Sequence, residues 1–171
     1  MLPSAIIIVE GKTDRRFLEA LVSARFPDWR VLVIDSEGNV KRRVHELRTM
    51  LGGLAGTPYE ARTFVVLDSV HTRGTKEDLQ NLGVPASNIV VWSKNGIEYY
   101  YPPTIMAKLF GLGTNELNQL VICDSDVVEA NGFQRRKEDL CIEVCKQLTP
   151  DTEMADELEA KLLLSLQAVL V

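Results

Sequence analysis

Carboxylate residues follow apolar segments of this chain at places where strands of a sheet would end. Glu10 directly follows the apolar run of residues 6–9, Asp14 comes one helical turn later, and Asp68 follows the run of residues 63–67. Two carboxylates about 4 Å apart repel by about 4 kcal/mol at an effective dielectric near 20, so a shared site needs a cation or a shared proton. Oxygen ligands suit Mg²⁺ or Mn²⁺, which can bind a phosphodiester oxygen and help to activate water.

The elements that would position these acids alternate between strand and helix. Apolar runs without alternation, such as residues 6–9 and 63–67, indicate strands buried on both faces. The order of strands and helices favours right-handed crossovers and a parallel sheet, in which Glu10 and Asp68 would share one crevice at the strands' carboxyl ends. We therefore predict an α/β fold with a mostly parallel sheet of about four strands covered by helices, and a helical C-terminal part.

The spacing of apolar residues gives approximate bounds for these elements. The predicted strands are residues 6–9, 30–34, 63–67 and 88–92, and the predicted helices after the first are residues 40–51, 75–82, 103–110, 137–148 and 153–170. Thr13 is expected to cap the first helix. Residues 111–132 have the least clear pattern, because residues 120–123 could be a strand or the end of a helix. In the last helix, Leu158, Leu162, Leu166 and Val169 are expected to face inward.

Further residues could do chemistry, and each has a plainer explanation. Glu98 could bind a metal, or it could be a first-turn glutamate favoured by the helix dipole. Asp124-Ser-Asp126 is a complete Asp-x-Asp pair, although its position after the fourth strand and its polarity favour a solvated loop. The tyrosines at 99–101 could stack on an unpaired base or pack under a helix. The basic run Arg135-Arg136-Lys137 could simply start a solvated helix.

Composition favours one soluble domain in the cytoplasm. A chain of 171 residues can bury about 70% of its extended surface in one core, so we expect a single domain over 1–171, with a core of about 1–100 and a helical extension of about 101–171. The net charge of −5 argues against binding nucleic acid by bulk electrostatics, although Lys41, Arg42 and Arg43 could contact its backbone locally. No apolar run is long enough to predict a membrane span, and the three cysteines are expected to be free thiols.

The motif Val-Glu-Gly-x-x-Asp-x-x-Phe, from Val9 to Phe17, resembles the opening motif of TOPRIM domains. These are the catalytic modules of topoisomerases, primases, small ribonuclease M5 type enzymes and the overcoming-lysogenisation-defect (OLD) nucleases. The acid at Asp14, the Glu98 region and the helical C-terminal part are most similar to OLD-type domains. The resemblance implies a Mg²⁺- or Mn²⁺-dependent nuclease acting on DNA or RNA, with Lys137 near the scissile phosphate. The implied metal ligands are Glu10, Asp14, Asp68 and Glu98.

The family also implies a setting for the domain. OLD proteins attach it to an ATPase and act in defence against phage, whereas this chain has no Gly-x-x-x-x-Gly-Lys-Ser/Thr loop. A separate ATPase partner is therefore one expectation and action alone is the other. A homo-oligomer is a further expectation for the assembly.

Val70 departs from the family pattern, because TOPRIM domains carry a second aspartate at this position. Three interpretations follow. Asp14 and Glu98 could complete the metal site, His71 could contribute a nitrogen ligand, or the domain could have lost catalysis and kept a role in binding nucleic acid or protein. A primase-like phosphotransferase is a separate alternative.

Overall fold

Four parallel strands form the central sheet of the protein. The computed structural model describes residues 2–71 and 73–170. The strands are β1 (Ala5–Val9), β2 (Val31–Asp35), β3 (Thr63–Leu67) and β4 (Ile89–Val91), in the spatial order β2-β1-β3-β4. Ile7 of β1 lies opposite Val33 of β2 and Phe64 of β3, so the two longest apolar runs are neighbours at the centre of the sheet. The predicted α/β fold with a parallel sheet is confirmed.

Helices cover both faces of this sheet. They are α1 (Lys12–Arg25), α2 (Val40–Met50), α3 (Arg73–Asn81), α4 (Pro103–Phe110) and α5 (Lys137–Gln147), followed by α6 (Asp156–Leu158), a π-helical segment (Glu159–Leu163) and α7 (Leu164–Leu170). Ile7 packs in the cluster that contains Phe17 of α1 and Leu140 of α5, whereas Ile8 packs with Val44 of α2. Successive β1 side chains therefore enter two separate cores, which explains why the run shows no polar alternation.

A second, antiparallel sheet lies in the segment that has no clear sequence pattern. It contains β5 (Val121–Ile122), β6 (Val127–Ala130) and β7 (Phe133–Arg136) in that order. Asn131 and Gly132 connect β6 to β7 with φ angles of 50° and 75°, the backbone conformation that a tight hairpin turn requires. The C-terminal part is thus helical with a small sheet inserted before α5, which begins immediately after β7.

Several element bounds differ from the predicted ones. Gly11, and not Thr13, is the N-cap residue of α1, because the Asp14 side chain accepts a hydrogen bond of 3.1 Å from the Gly11 N–H. Helix α3 begins at Arg73 instead of Thr75, and β2 extends to Asp35. Within residues 2–71 and 73–170, none of the helices has the length and apolar character needed to span a membrane.

Candidate functional site

The carboxyl ends of β1 and β3 place Glu10 and Asp68 side by side. Each residue directly follows its strand, and the two strands are paired in parallel. A crevice of 570 Å³ opens at this edge of the sheet. Its walls are formed by Glu10, Gly11, Lys12, Asp14, Asp35, Glu37, Gly38 and Asp68. This is the location that open α/β sheets use for ligands, because strand ends fix side chains there while leaving them accessible.

The Glu10 carboxyl is in an electrostatically unfavourable position. Burial, together with charge repulsion from Asp68 and a hydrogen bond that the protonated Glu10 carboxyl donates to the Asp68 carboxylate, raises the pKa of Glu10 to about 7. The Nε2 atom of His71 contacts Glu10 Oε1. An acid that holds its proton near neutral pH is readily switched to a carboxylate by a nearby positive charge.

Asp14 joins this cluster from the first turn of α1. Burial raises the pKa of Asp14 to about 7, and the charges of Asp68 and Glu98 add to the effect. The N–H of the N-cap residue Gly11 donates a hydrogen bond to Asp14 Oδ2, and a Cβ atom at Gly11 would lie 3.1 Å from that oxygen. Glycine at this position therefore allows Asp14 to fold back over the end of β1.

Glu98 reaches the cluster from a short 3₁₀ helix after β4. Its side chain is 6% exposed, and burial raises its pKa, while the Lys137 charge lowers it. Gly96 makes this placement possible: its N–H donates a 3.2 Å hydrogen bond to Asp68 Oδ1, and a Cβ there would lie 2.6 Å from Glu98 Oε2. Sequence reasoning missed Gly96, although the turn dipeptide Asn95-Gly96 ahead of a glutamate was a usable signal.

Lys137 lies where β7 of the second sheet meets α5, close enough to Glu98 for its charge to act on that carboxyl. It is half-buried at the start of α5. Its N–H donates a 3.0 Å hydrogen bond to the Asp126 carbonyl, while the exposed Asp126 side chain lies 3.6 Å from Arg136 Nε. Asp124 is exposed as well. The Asp-Ser-Asp segment is therefore a solvated loop beside the site, from which the Asp126 charge acts on Glu98.

Val70 stands at the position where the TOPRIM motif would have a second aspartate, and His71 follows it. Val70 is 66% exposed, whereas His71 turns inward to Glu10. Within the described residues, no three His, Cys, Asp or Glu side chains form a group that could hold a metal ion as they stand. The donor chemistry nevertheless fits a hard divalent cation, because the cluster offers carboxylate oxygens, and burial together with neighbouring acids raises the pKa values of Glu10 and Asp14. Since no group of three ligands is preformed among the described residues, metal binding would require side chains to rearrange.

Comparison with known proteins relates the whole chain to one kind of domain. No protein-family model and no curated protein matches the sequence. The structure is similar to the solved C-terminal region of the Burkholderia pseudomallei OLD protein, with a TM-score of 0.56, 14% identity and coverage of 99% of this chain and 100% of that one. The corresponding region of the Xanthomonas campestris pv. campestris OLD protein matches with a TM-score of 0.48, 14% identity and coverage of 99% and 97%. The chain therefore has a TOPRIM-like α/β fold similar to that of the C-terminal region of the Burkholderia pseudomallei OLD protein.

Proposed function

We propose that the protein is a Mg²⁺- or Mn²⁺-dependent nuclease that hydrolyses phosphodiester bonds in DNA or RNA. The observation that supports this most is the convergence of four carboxyl groups, linked by pairwise charge interactions, from three segments of the chain that are far apart in sequence. These groups belong to Glu10, Asp14, Asp68 and Glu98. Carboxyls crowded at a ligand-binding edge destabilise a fold, so such an arrangement is typical of a functional site.

The chain's own residues divide the chemical work. Glu10 and Asp68 would hold the ion at the strand ends, with Asp14 and Glu98 completing the ligand set. When bound, the ion supplies positive charge that stabilises the charge developing on the phosphoryl group. Lys137 would contact a phosphate oxygen, since its charge already acts on Glu98 at the site. Water is the nucleophile, and no covalent protein intermediate is required.

The position of His71 suggests how the site could bind a metal although residue 70 is valine instead of aspartate. The imidazole contacts Glu10 one residue after the position at which the family pattern has an acid. A nitrogen atom thus contacts an acid of the crevice close to the position at which a carboxylate is missing. We propose that His71 serves as an additional ligand or orients Glu10 toward the ion, a role typical of groups surrounding a metal site.

A second candidate function is a non-catalytic module that binds nucleic acid or protein. It is favoured by the exposed Val70 and by the absence, within residues 2–71 and 73–170, of a preformed group of three metal ligands. A primase-like phosphotransferase is a third candidate, which would incorporate nucleotides instead of cleaving a strand. Association with a separate ATPase, a role in phage defence and a homo-oligomeric state belong to the proposal through the resemblance to OLD proteins.

A cleavage assay separates these candidates. Supercoiled plasmid and single-stranded substrates are incubated with Mg²⁺ or Mn²⁺ and wild type, Glu10→Gln or Glu143→Gln. Glu143 is the control, because it is an acid on α5 paired with Lys146 at 2.8 Å and is not part of the crevice. The nuclease proposal expects cleavage by wild type and Glu143→Gln only. Equal inactivity of all three, with and without candidate ATPases, would contradict it.

A further inference from the structure

A cavity of 480 Å³ shares one wall with the acidic cluster. The shared residue is Glu98, which lines the cavity and whose carboxyl also acts on Asp14. The remaining walls include Tyr99, Tyr101, Met106, Leu117, Asn118 and Leu120. The volume lies within the roughly 300 to 1,000 Å³ range of pockets that bind small organic groups. A group bound here would lie next to a phosphate held at the carboxylates.

The walls of the cavity combine flat apolar surface with a few polar groups. Tyr99 is 38% exposed, whereas Tyr100 and Tyr101 are almost fully buried. The Lys94 Nζ atom lies 4.9 Å from the centroid of the Tyr99 ring, on the same rim of the cavity. Asn118 is exposed and adds an amide that can both donate and accept hydrogen bonds. A planar aromatic ligand with polar edges, close to a phosphate, satisfies all of these features.

We propose that this cavity binds one unpaired nucleobase of the nucleic-acid substrate, with Tyr99 as its stacking surface. The inference rests on the proposed nuclease function and narrows its substrate class. The faces of a paired base are covered by its neighbours in the duplex, so only a base in a single strand, at an end or in a melted region can enter. The protein is therefore expected to prefer single-stranded over double-stranded substrate.

Binding measured without cleavage tests this inference. A fluorescently labelled strand of about 12 nucleotides and its duplex are titrated with protein in EDTA, with anisotropy as the readout. Tyr99→Ala is expected to weaken single-strand binding by about tenfold, the usual effect of removing one stacking aromatic group. It should leave duplex binding unchanged. Tyr99→Phe should bind like wild type, because it keeps the ring.

Two further variants test whether the loss of binding is specific to the cavity. Phe133→Ala removes an aromatic side chain that is 54% exposed on β7, outside the cavity, and should bind like wild type. Leu117→Trp adds bulk to the cavity wall and should reproduce the loss seen for Tyr99→Ala. Unchanged single-strand affinity in Tyr99→Ala would overturn the inference and would fit a cavity that takes an apolar side chain of a partner protein. An equal loss on duplex would overturn it too.

The binding experiment and the cleavage assay can fail separately, so they test the cavity and the nuclease proposal independently. If Tyr99→Ala selectively loses single-strand affinity while wild type cleaves nothing, the base-binding cavity stands and the nuclease proposal fails. If wild type cleaves in a Glu10-dependent manner while Tyr99→Ala binds normally, the nuclease proposal stands and the cavity assignment fails.

Discussion

The Gly96 N–H donates a 3.2 Å hydrogen bond to Asp68 Oδ1 and so ties the loop after β4 to the end of β3. The same glycine leaves the space that Glu98 Oε2 occupies, since a Cβ atom would lie 2.6 Å away. One residue without a side chain therefore sets the positions of two carboxyl groups. Its φ of 115° is a conformation that residues with a Cβ rarely adopt.

Gly96→Ala should damage both the fold and the site. We expect a loss of about 1 to 3 kcal/mol in the free energy of unfolding from backbone strain, and a decrease in cleavage of about tenfold or more because Glu98 is displaced. Urea denaturation and the plasmid assay measure these effects. Gly53→Ala is the matched control: Gly53 has a φ of 135°, and a Cβ atom there would have no neighbour within 4 Å, so this variant should lose stability and keep activity. Equal activity of the two variants would argue against a positioning role for Gly96.

Without divalent cations, the protein should become less stable as the pH rises. The pKa values of Glu10 and Asp14 are both raised to about 7, above the unfolded values of about 4.3 and 3.9. Their contribution is therefore fully present below about pH 4 and is lost as the pH rises through 7. Two pKa values raised from about 4 to about 7 correspond to about 8 kcal/mol in total, which solvent screening of the partly exposed Glu10 reduces to a few kcal/mol. Urea denaturation in EDTA between about pH 5 and pH 8 measures this slope. Mg²⁺ at the upper pH should restore stability by binding the folded state.

Substitution of the two acids checks the origin of this slope. The double variant Glu10→Gln, Asp14→Asn should have a flatter dependence of stability on pH and no response to Mg²⁺. Glu46→Gln, which alters an acid on α2 that is 44% exposed, should behave like wild type. A slope that persists in the double variant would place the titrating groups elsewhere.

Val70→Asp should strengthen metal binding. Val70 is 66% exposed, so the fold can accept the change, and the new carboxylate adds an oxygen donor next to His71. We expect Mn²⁺ affinity to increase about tenfold, equivalent to about 1.4 kcal/mol, as measured by isothermal titration calorimetry. Val70→Asn, which adds an amide without charge, should have a much smaller effect. Identical Mn²⁺ affinities for Val70→Asp and wild type would show that residue 70 lies out of reach of the ion.

His71→Ala should impair the site without unfolding the protein. The imidazole contacts Glu10, and loss of a group that orients a metal ligand typically costs about 10- to 100-fold in metal affinity or activity. His45, the other of the two histidines, is exposed on α2 and provides the control variant His45→Ala. Both should have similar unfolding curves, while only His71→Ala should lose cleavage. Full cleavage activity in His71→Ala would show that His71 neither binds the metal nor orients Glu10.

The sheet could be predicted because its strands are specified locally. The bounds of β3 are those expected, and the neighbouring positions of Glu10 and Asp68 follow from parallel strand order. The second sheet was not predicted because β5 has only two residues and β6 and β7 have four residues each. Strands this short do not establish a hydrophobic period. The contact of His71 with Glu10 depends on the path of a loop, which sequence periodicity does not describe.

The π-helical segment Glu159–Leu163 explains why the buried face of the last helix ends on Leu170 and not on Val169. Side chains four residues apart in a regular helix of about 3.6 residues per turn drift around the axis by about 40° at each step. A wider turn cancels part of that drift, so Leu158, Leu162, Leu166 and Leu170 stay in one stripe against the sheet. The wider turn therefore lets leucines spaced every four residues all pack against the apolar core.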